Sequence, residues 1–126
     1  MKPFENKYEQ AAETDRINNL GVAEYQNRNI EMAMSYFKQA LNVMPQNDDA
    51  LINLGICYCE MKKYDEAIKL YQKAIQIHPD RDAGYKEMGI IFYQKSDMPN
   101  AIKWWKEAAK RGNETAIDWL KTNGYI

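Results

Sequence analysis

Hydrophobic and polar residues alternate through the middle of the chain with the period of amphipathic helices. Between residues 51 and 58, small or apolar residues fall at i, i+3, i+4 and i+7 on one helix face: Leu51, Leu54, Gly55 and Tyr58. The polar pair Lys62 and Lys63 interrupts this pattern. A second stripe then follows: Tyr64, Ala67, Ile68, Tyr71, Ala74 and Ile75. The pattern predicts two helices joined by a short polar turn.

The same pattern recurs in register along the chain. Residues of similar size and polarity stand 34 positions apart, with nothing inserted or deleted between the copies: Gly21, Gly55 and Gly89; Ala33, Ala67 and Ala101; Phe37, Tyr71 and Trp105; Ala40, Ala74 and Ala108; Pro45 and Pro79. A period of this length is typical of stacked two-helix units. We therefore predict three units, at residues 14–47, 48–81 and 82–115. The three glycines in register indicate close packing where helices cross, with Gly55 facing Ala67.

The second copy, "LINLGICYCEMKKYDEAIKLYQKAIQIHP", resembles the tetratricopeptide repeat family. It has the family's Leu-Gly, Tyr, Ala, aromatic, Ala and Pro positions, and departs only at Leu51, where an aromatic residue is usual. The first copy departs at Ile17 and Tyr25, and the third has Met88 and lacks the proline. The third copy is also similar to the Sel-one-like branch, through Ala101, Trp104, Ala108, Ala109, Gly112, Ala116 and Leu120. The resemblance implies an all-α, right-handed solenoid.

The two ends are predicted to be helical as well. Residues 1–13, which include Pro3 and Phe4, are expected to extend the first helix backwards, with a flexible tail as the alternative. Residues 116–126 form a capping helix whose apolar side, Ile117 or Trp119 with Leu120, covers the third unit. The whole chain, residues 1–126, is thus expected to be one domain of seven helices.

Composition and charge narrow the function. Lys and Arg number 17 against 18 Asp and Glu, so the net charge is -1. This balance lacks the basic excess expected of proteins that bind nucleic acid or anionic membranes. The first residues contain no apolar core of a secretory signal, and no apolar run approaches the length of a membrane span. We expect a cytoplasmic protein that binds neither nucleic acid nor membranes.

The cysteines are predicted to be structural. Cys57 and Cys59 lie two positions apart on a helix, so their side chains point about 200° apart around its axis. The sole histidine, His78, lies far along the chain and has no ligand pair beside it. Free cysteines commonly pack as small hydrophobic residues. No catalytic spacing and no phosphate-binding glycine loop is present, and the sequence predicts no cofactor, no metal site and no enzymatic activity.

The resemblance implies that the first helices of the units line a concave groove. The face at i, i+4 and i+7 of each first helix, with two flanking residues, forms the predicted peptide groove: Asn18, Val22 and Tyr25; Ile52, Ile56 and Cys59; Lys86, Ile90 and Tyr93; Asn53 and Glu87. This second stripe lies outside the one assigned to the core. The alternative is that it forms a partly covered wall between neighbouring helices.

Some members of the family bind acidic C-terminal tails through a clamp of lysine, arginine and asparagine. Only Asn53 matches this clamp, because the remaining positions hold Asn18, Val22, Ala83 and Glu87. The leading prediction is therefore a non-enzymatic adaptor for another kind of peptide or helix of a partner protein. The rival is self-assembly into a homo-oligomer, through the end surfaces or through Trp104, Trp105 and Trp119.

Overall fold

A computed structural model describes residues 6–126, which fold into seven α-helices joined by short turns. The helices are α1 (Lys7–Gln26), α2 (Ile30–Val43), α3 (Asp48–Glu60), α4 (Tyr64–Ile77), α5 (Ala83–Gln94), α6 (Met98–Lys110) and α7 (Glu114–Thr122). The described residues contain no strand. The prediction of an all-α solenoid with a capping helix is confirmed.

Asparagine and aspartate side chains define where several helices begin. Each accepts a hydrogen bond from a backbone N–H of the first turn, which would otherwise have no partner. The distances are 2.9 Å from Tyr8 N to Asn6, 2.8 Å from Ala50 N to Asn47, 3.3 Å from Asn100 N to Asp97 and 2.8 Å from Ala116 N to Asn113. The cap at Asn113 explains why α7 begins at Glu114, two residues earlier than predicted.

The two helices of each unit are joined by the same tight turn. Arg28, Lys62 and Ser96, which stand 34 residues apart, all have left-handed backbone conformations, with φ of 66°, 60° and 61°. This conformation is uncommon for residues other than glycine. Its recurrence at equivalent positions shows that the backbone path is set by the packing of the two helices and not by the residue in the turn.

A glycine on the first helix of each unit makes room for an aromatic ring on the second. A Cβ atom added to Gly21, Gly55 or Gly89 would lie 2.5 Å from Phe37, 2.4 Å from Tyr71 or 2.3 Å from Trp105. Distances below 3 Å are not tolerated between such atoms. The three atoms nearest to this position at Gly55 belong to the ring of Tyr71, and the expectation that Gly55 also faces Ala67 stays a prediction. Ala67, which is fully buried, packs in the same core.

Neighbouring units pack through the leucine or methionine that precedes this glycine. Leu54 and Met88 are buried, with 5% and 1% of their surfaces exposed, whereas Leu20 at the equivalent position is 39% exposed. Leu20 belongs to the first unit, and no described unit lies before it. At the other end, α7 buries Ala116 and Leu120 against the third unit, as its predicted capping role requires.

The curvature of the solenoid places α1, α3 and α5 on its inner side. The backbone of α1 contacts α3 and that of α3 contacts α5, whereas among the described residues α2, α4 and α6 make no comparably close contact with one another. The layer whose helices approach more closely is the inner side of the curve. We call the surface formed by α1, α3 and α5 the concave face. The predicted extension of α1 is helical from Lys7 onward, while Pro3 and Phe4 lie outside the described residues.

The contact between Gly55 and the ring of Tyr71 predicts that the effect of Gly55→Ala on the free energy of unfolding changes sign when Tyr71 is also replaced. Gly55→Ala should destabilise the fold by about 1–3 kcal/mol, because the new methyl group collides with the ring of Tyr71. When Tyr71 is replaced by Leu, which lacks Cε1, the ring atom nearest to the new methyl group, Gly55→Ala should instead stabilise the fold by up to about 1 kcal/mol through helix propensity. Urea unfolding of the four proteins measures both changes. A stabilising Gly55→Ala in the wild-type background would contradict this account of the helix crossing.

Candidate functional site

The concave face carries two adjacent clefts, of which the first is lined mainly by aromatic and apolar side chains. This aromatic cleft has a volume of about 370 Å³ and receives side chains from α1, α3, α4 and α5 and from the turn before α4. Its lining consists of Tyr25, Ile56, Cys59, Glu60, Lys62, Tyr64, Tyr71, Glu87, Ile90 and Gln94. Three tyrosine rings and two isoleucines form most of this wall, a composition typical of surfaces that anchor a partner's side chains.

The second cleft lies between α1 and α3 alone and is polar. We call it the polar cleft; it has a volume of about 390 Å³ and is lined by Asp15, Asn18, Asn19, Val22, Asp49 and Asn53. Two pairs in this set occupy equivalent positions 34 residues apart, namely Asp15 with Asp49 and Asn19 with Asn53. The cleft is therefore built twice from the same unit, once by each of two neighbouring first helices.

The structure brings eight of the eleven predicted groove residues to these clefts. Tyr25, Ile56, Cys59, Glu87 and Ile90 line the aromatic cleft, and Asn18, Val22 and Asn53 line the polar cleft. Ile52, Lys86 and Tyr93 line neither. Two of the eleven, Asn18 and Ile52, have only 6% and 8% of their surfaces exposed.

Asn18 and Ile52 are the predicted groove residues that the structure buries between neighbouring units. Ile52 belongs to the same buried cluster as Met88 of the next unit, and the Nδ2 of Asn18 donates to Asn47 Oδ1 at 3.2 Å. Neighbouring first helices thus cover both positions. Because Ile52 packs in this core cluster and lines neither cleft, we leave it out of the binding surface proposed below, whereas Asn18 lines the polar cleft. Tyr93, in contrast, is 51% exposed and packs its ring 5.7 Å from that of Trp105.

Several cleft residues were not predicted from the sequence. Asp15, Asn19 and Asp49 carry polar side chains that resemble any solvent-exposed helix surface, although their 34-residue spacing was an available signal. Tyr64 and Tyr71 belong to α4, whose apolar stripe was assigned entirely to the core. Only the fold shows that the hydroxyl of Tyr71 lies 3.5 Å from the Sγ of Cys59 at the cleft.

A short polar network holds one wall of the aromatic cleft. The hydroxyl of Tyr25 donates to Glu60 Oε1 at 2.7 Å, and Arg28 lies 3.5 Å from the other oxygen of Glu60. Burial raises the pKa of Tyr25 to about 12, and the hydrogen bond to Glu60 adds to this effect. The phenol therefore stays protonated at neutral pH and keeps its ring in a fixed position between α1 and α3.

Both cysteine thiols are protonated at neutral pH. Burial raises the pKa of Cys57 to about 11, and burial is also the main cause that raises the pKa of Cys59. Because the thiolate is the reactive and metal-binding form, these shifts disfavour thiol chemistry at both positions. Cys57 is fully buried, which agrees with the packing role predicted for it. Within residues 6–126, no group of three or more His, Cys, Asp or Glu side chains is placed to hold a metal ion.

Glu87 is a carboxylate held largely out of water at the edge of the aromatic cleft. Its side chain is 12% exposed, and the nearest cation is the Nζ of Lys86 at 3.5 Å. Burial raises the pKa of Glu87, and the nearby Lys86 opposes the shift without cancelling it. An ionised group in this position costs folding free energy, so Glu87 is a residue whose presence the packing of α5 does not explain.

The comparisons with known proteins place the chain in a family. Two profiles described as tetratricopeptide repeat match it, one over residues 14–44 and one over residues 48–81, which together make up just over half of its length. The chain therefore belongs to the tetratricopeptide repeat family. The comparison with curated protein sequences gave no match.

Solved structures with the same fold include proteins of several kinds. MamA superposes with a TM-score of 0.71 at 26% sequence identity, covering 82% of this chain and 60% of that one. The chain thus spans less than two thirds of MamA. The TPR domain of Sgt2 from Aspergillus fumigatus gives a TM-score of 0.78 at 19% identity, covering 87% and 76%. The type III secretion translocator chaperone SycD of Yersinia enterocolitica superposes with a TM-score of 0.75 at 20% sequence identity, covering 87% of this chain and 84% of SycD. The last two likenesses show the fold alone.

No helix between residues 6 and 126 combines the length and the apolar character that a membrane span requires.

The position of Glu87 predicts a pH-dependent gain in stability for Glu87→Gln. The raised pKa in the folded state means that ionisation of Glu87 destabilises the fold once the pH exceeds the ordinary value of 4.5, and increasingly so up to the raised pKa. Removal of this charge should therefore raise the thermal midpoint at neutral pH. The gain should vanish below pH 4.5, where Glu87 is protonated in both states. An equal midpoint for the two proteins at neutral pH would contradict the assigned burial.

Proposed function

We propose that the protein is a non-enzymatic adaptor that holds a segment of a partner protein against its concave face. The observation that carries this proposal is the aromatic cleft, where two tyrosines and two isoleucines stay half-buried beside the fully buried core residue Tyr71. Ile56 and Ile90 occupy equivalent positions on α3 and α5, so the apolar surface continues from one unit to the next. A continuous surface of this kind suits an extended or helical segment.

The geometry also supports binding with little rearrangement. The ring of Tyr25 is held at the cleft by the hydrogen bond to Glu60, and the fully buried ring of Tyr71 supports the cleft from the core side. Anchoring rings that are ordered before binding lose little conformational entropy when a partner arrives. Asn53, half-buried between the two clefts, presents an amide that can donate to and accept from the backbone of a bound segment.

Two further expectations from the sequence stay predictions. The cytoplasmic location rests on the lack of signal-like and membrane-span-length apolar runs in the sequence, and the Sel-one-like character of the third unit rests on a small set of matching residues. The proposal of an adaptor depends on neither of them. It rests on the family to which the chain belongs and on the two clefts.

Self-assembly is the alternative function, and the structure alters how it could occur. Trp105 is only 8% exposed because it fills the space beside Gly89, and Trp119 packs against it with ring centroids 4.5 Å apart. These two rings are engaged in holding the capping helix. An assembly would instead use exposed side chains at the C-terminal end, Tyr125 and Ile126, or the exposed Leu20 of the first unit.

The proposed function predicts where selected peptides bind and which substitutions abolish their binding. Short random peptides displayed on phage would be selected on the immobilised protein and then mapped by backbone amide NMR shifts. The shifts should concentrate on α1, α3 and α5. Tyr25→Ala combined with Ile90→Ala should weaken binding by at least about 2 kcal/mol, the usual cost of losing such anchors.

The matched control is Met32→Ala, which removes an exposed apolar side chain from α2 on the outer layer and should leave binding unchanged. Thermal unfolding of each variant would show that the fold persists. Light scattering on the same samples separates the alternative, since an adaptor gives the monomer mass of 14.8 kDa at every concentration. Peptides that map to α2, α4 and α6, or a mass of twice the monomer with no peptide bound, would overturn the proposal.

A further inference from the structure

The lining of the polar cleft consists almost entirely of groups that accept hydrogen bonds. Asp15 and Asp49 carry carboxylates. In the ionised form a carboxylate accepts hydrogen bonds and has none to donate. Asn18, Asn19 and Asn53 contribute side-chain amides, of which the exposed Asn19 and half-buried Asn53 can turn either end towards the cleft. Among residues 6–126, no lysine or arginine lines this cleft. Its chemistry therefore calls for a ligand that supplies donors.

The charges around the cleft leave it with a negative excess. Arg81 lies 3.1 Å from Asp49, but it also forms an ion pair with Asp48, which is buried beneath the start of α3. The single positive charge of Arg81 is thus shared between two carboxylates, and Asp15 adds a third across the cleft. Asp49 remains 57% exposed despite this pairing, so its carboxylate is open to a second cation.

A buried acceptor at the cleft lacks a donor. Asn18 lines the polar cleft with 94% of its surface buried, and its Nδ2 donates to Asn47, but its Oδ1 has no hydrogen-bond partner within the described part of the chain. A buried polar atom without a partner costs about 1–3 kcal/mol. This cost is independent of the charge argument, and it points to the same kind of ligand, one that brings N–H groups into the cleft.

We propose that the polar cleft receives the side chain of an arginine or lysine of the bound segment, so that the concave face selects basic partner segments. This inference rests on the proposed function, since it specifies the chemistry of the segment. Guanidinium and ammonium groups carry several donors and no acceptor, which complements two carboxylates and an unsatisfied amide oxygen. Arginine fits best, because its planar fork reaches two acceptors at once.

The spacing of the two clefts adds a sequence pattern to this specificity. On α3, Asp49 and Asn53 line the polar cleft, whereas Ile56 and Cys59 line the aromatic cleft. The two sets are centred about seven residues apart, or about 10 Å along the helix. An extended segment covers this distance with about three residues. The basic side chain should therefore lie about three positions from an apolar side chain that enters the aromatic cleft.

The test uses the peptides selected on the protein in the experiment above. Enriched peptides should share an arginine or lysine about three positions from an apolar residue. Replacing that arginine by citrulline, which has nearly the same shape but no charge, should weaken binding about tenfold or more. Asp15→Asn should cause a similar loss for the arginine peptide and little further loss for the citrulline peptide, because both changes break the same contact.

Controls separate this inference from the proposed function. Asp118→Asn removes an exposed carboxylate from α7 and should change the affinity for neither the arginine peptide nor the citrulline peptide. Asp15→Lys should reject the arginine peptide and accept a version with glutamate in its place, which a folding defect could not produce. Peptides that bind the concave face equally well with arginine or citrulline, or that are enriched in acidic residues, would overturn the inference and leave the adaptor intact. Failure of every peptide to bind the concave face would overturn both.

Discussion

The close contact between a glycine and an aromatic ring is the constraint on which the other features of this protein depend. It occurs three times, at Gly21, Gly55 and Gly89, and each time the ring lies where a side chain on the first helix would have stood. This contact sets how near the paired helices approach and the angle at which they cross. Because every unit repeats it, every unit turns its first helix towards the same side, and the first helices come together as one concave face.

The same contact connects folding to the candidate site. The ring of Tyr71 is fixed from behind by Gly55, and its hydroxyl lies at the aromatic cleft beside Cys59. One side chain thus serves the core with its ring and the cleft with its polar end, as buried tyrosines commonly do. The run "NLGICYC" at residues 53–59 is explained in these terms, since Gly55 admits the ring, Cys57 packs in the core and Cys59 lines the cleft.

The fold could be predicted from the sequence because its packing positions are small or aromatic residues at a constant spacing. The groove was only partly predictable. Asn18 and Ile52 have the expected helical spacing, yet neighbouring first helices bury them, and the spacing within one helix does not show how closely the next one approaches. Asp15 and Asp49 were missed for the opposite reason, because a charged residue on a helix resembles a solvated surface until a cleft is seen around it. Contacts between units, and not patterns within them, decide both cases.

The three units differ at several positions that face the concave surface. Equivalent positions hold Asp15, Asp49 and Ala83, and then Asn19, Asn53 and Glu87, whereas the glycine and the small residues of the helix crossing are unchanged. The surface therefore passes from a polar cleft between α1 and α3 to an aromatic cleft formed mainly by α3, α4 and α5 without any change in the scaffold. At Glu87, however, the concave surface does affect the scaffold. The equivalent residue of the first unit is the exposed Asn19, whereas Glu87 is a largely buried carboxylate whose pKa is raised. Its ionisation therefore lowers the stability of the fold. Residues that oppose folding in this way persist most readily where binding, and not packing, determines them.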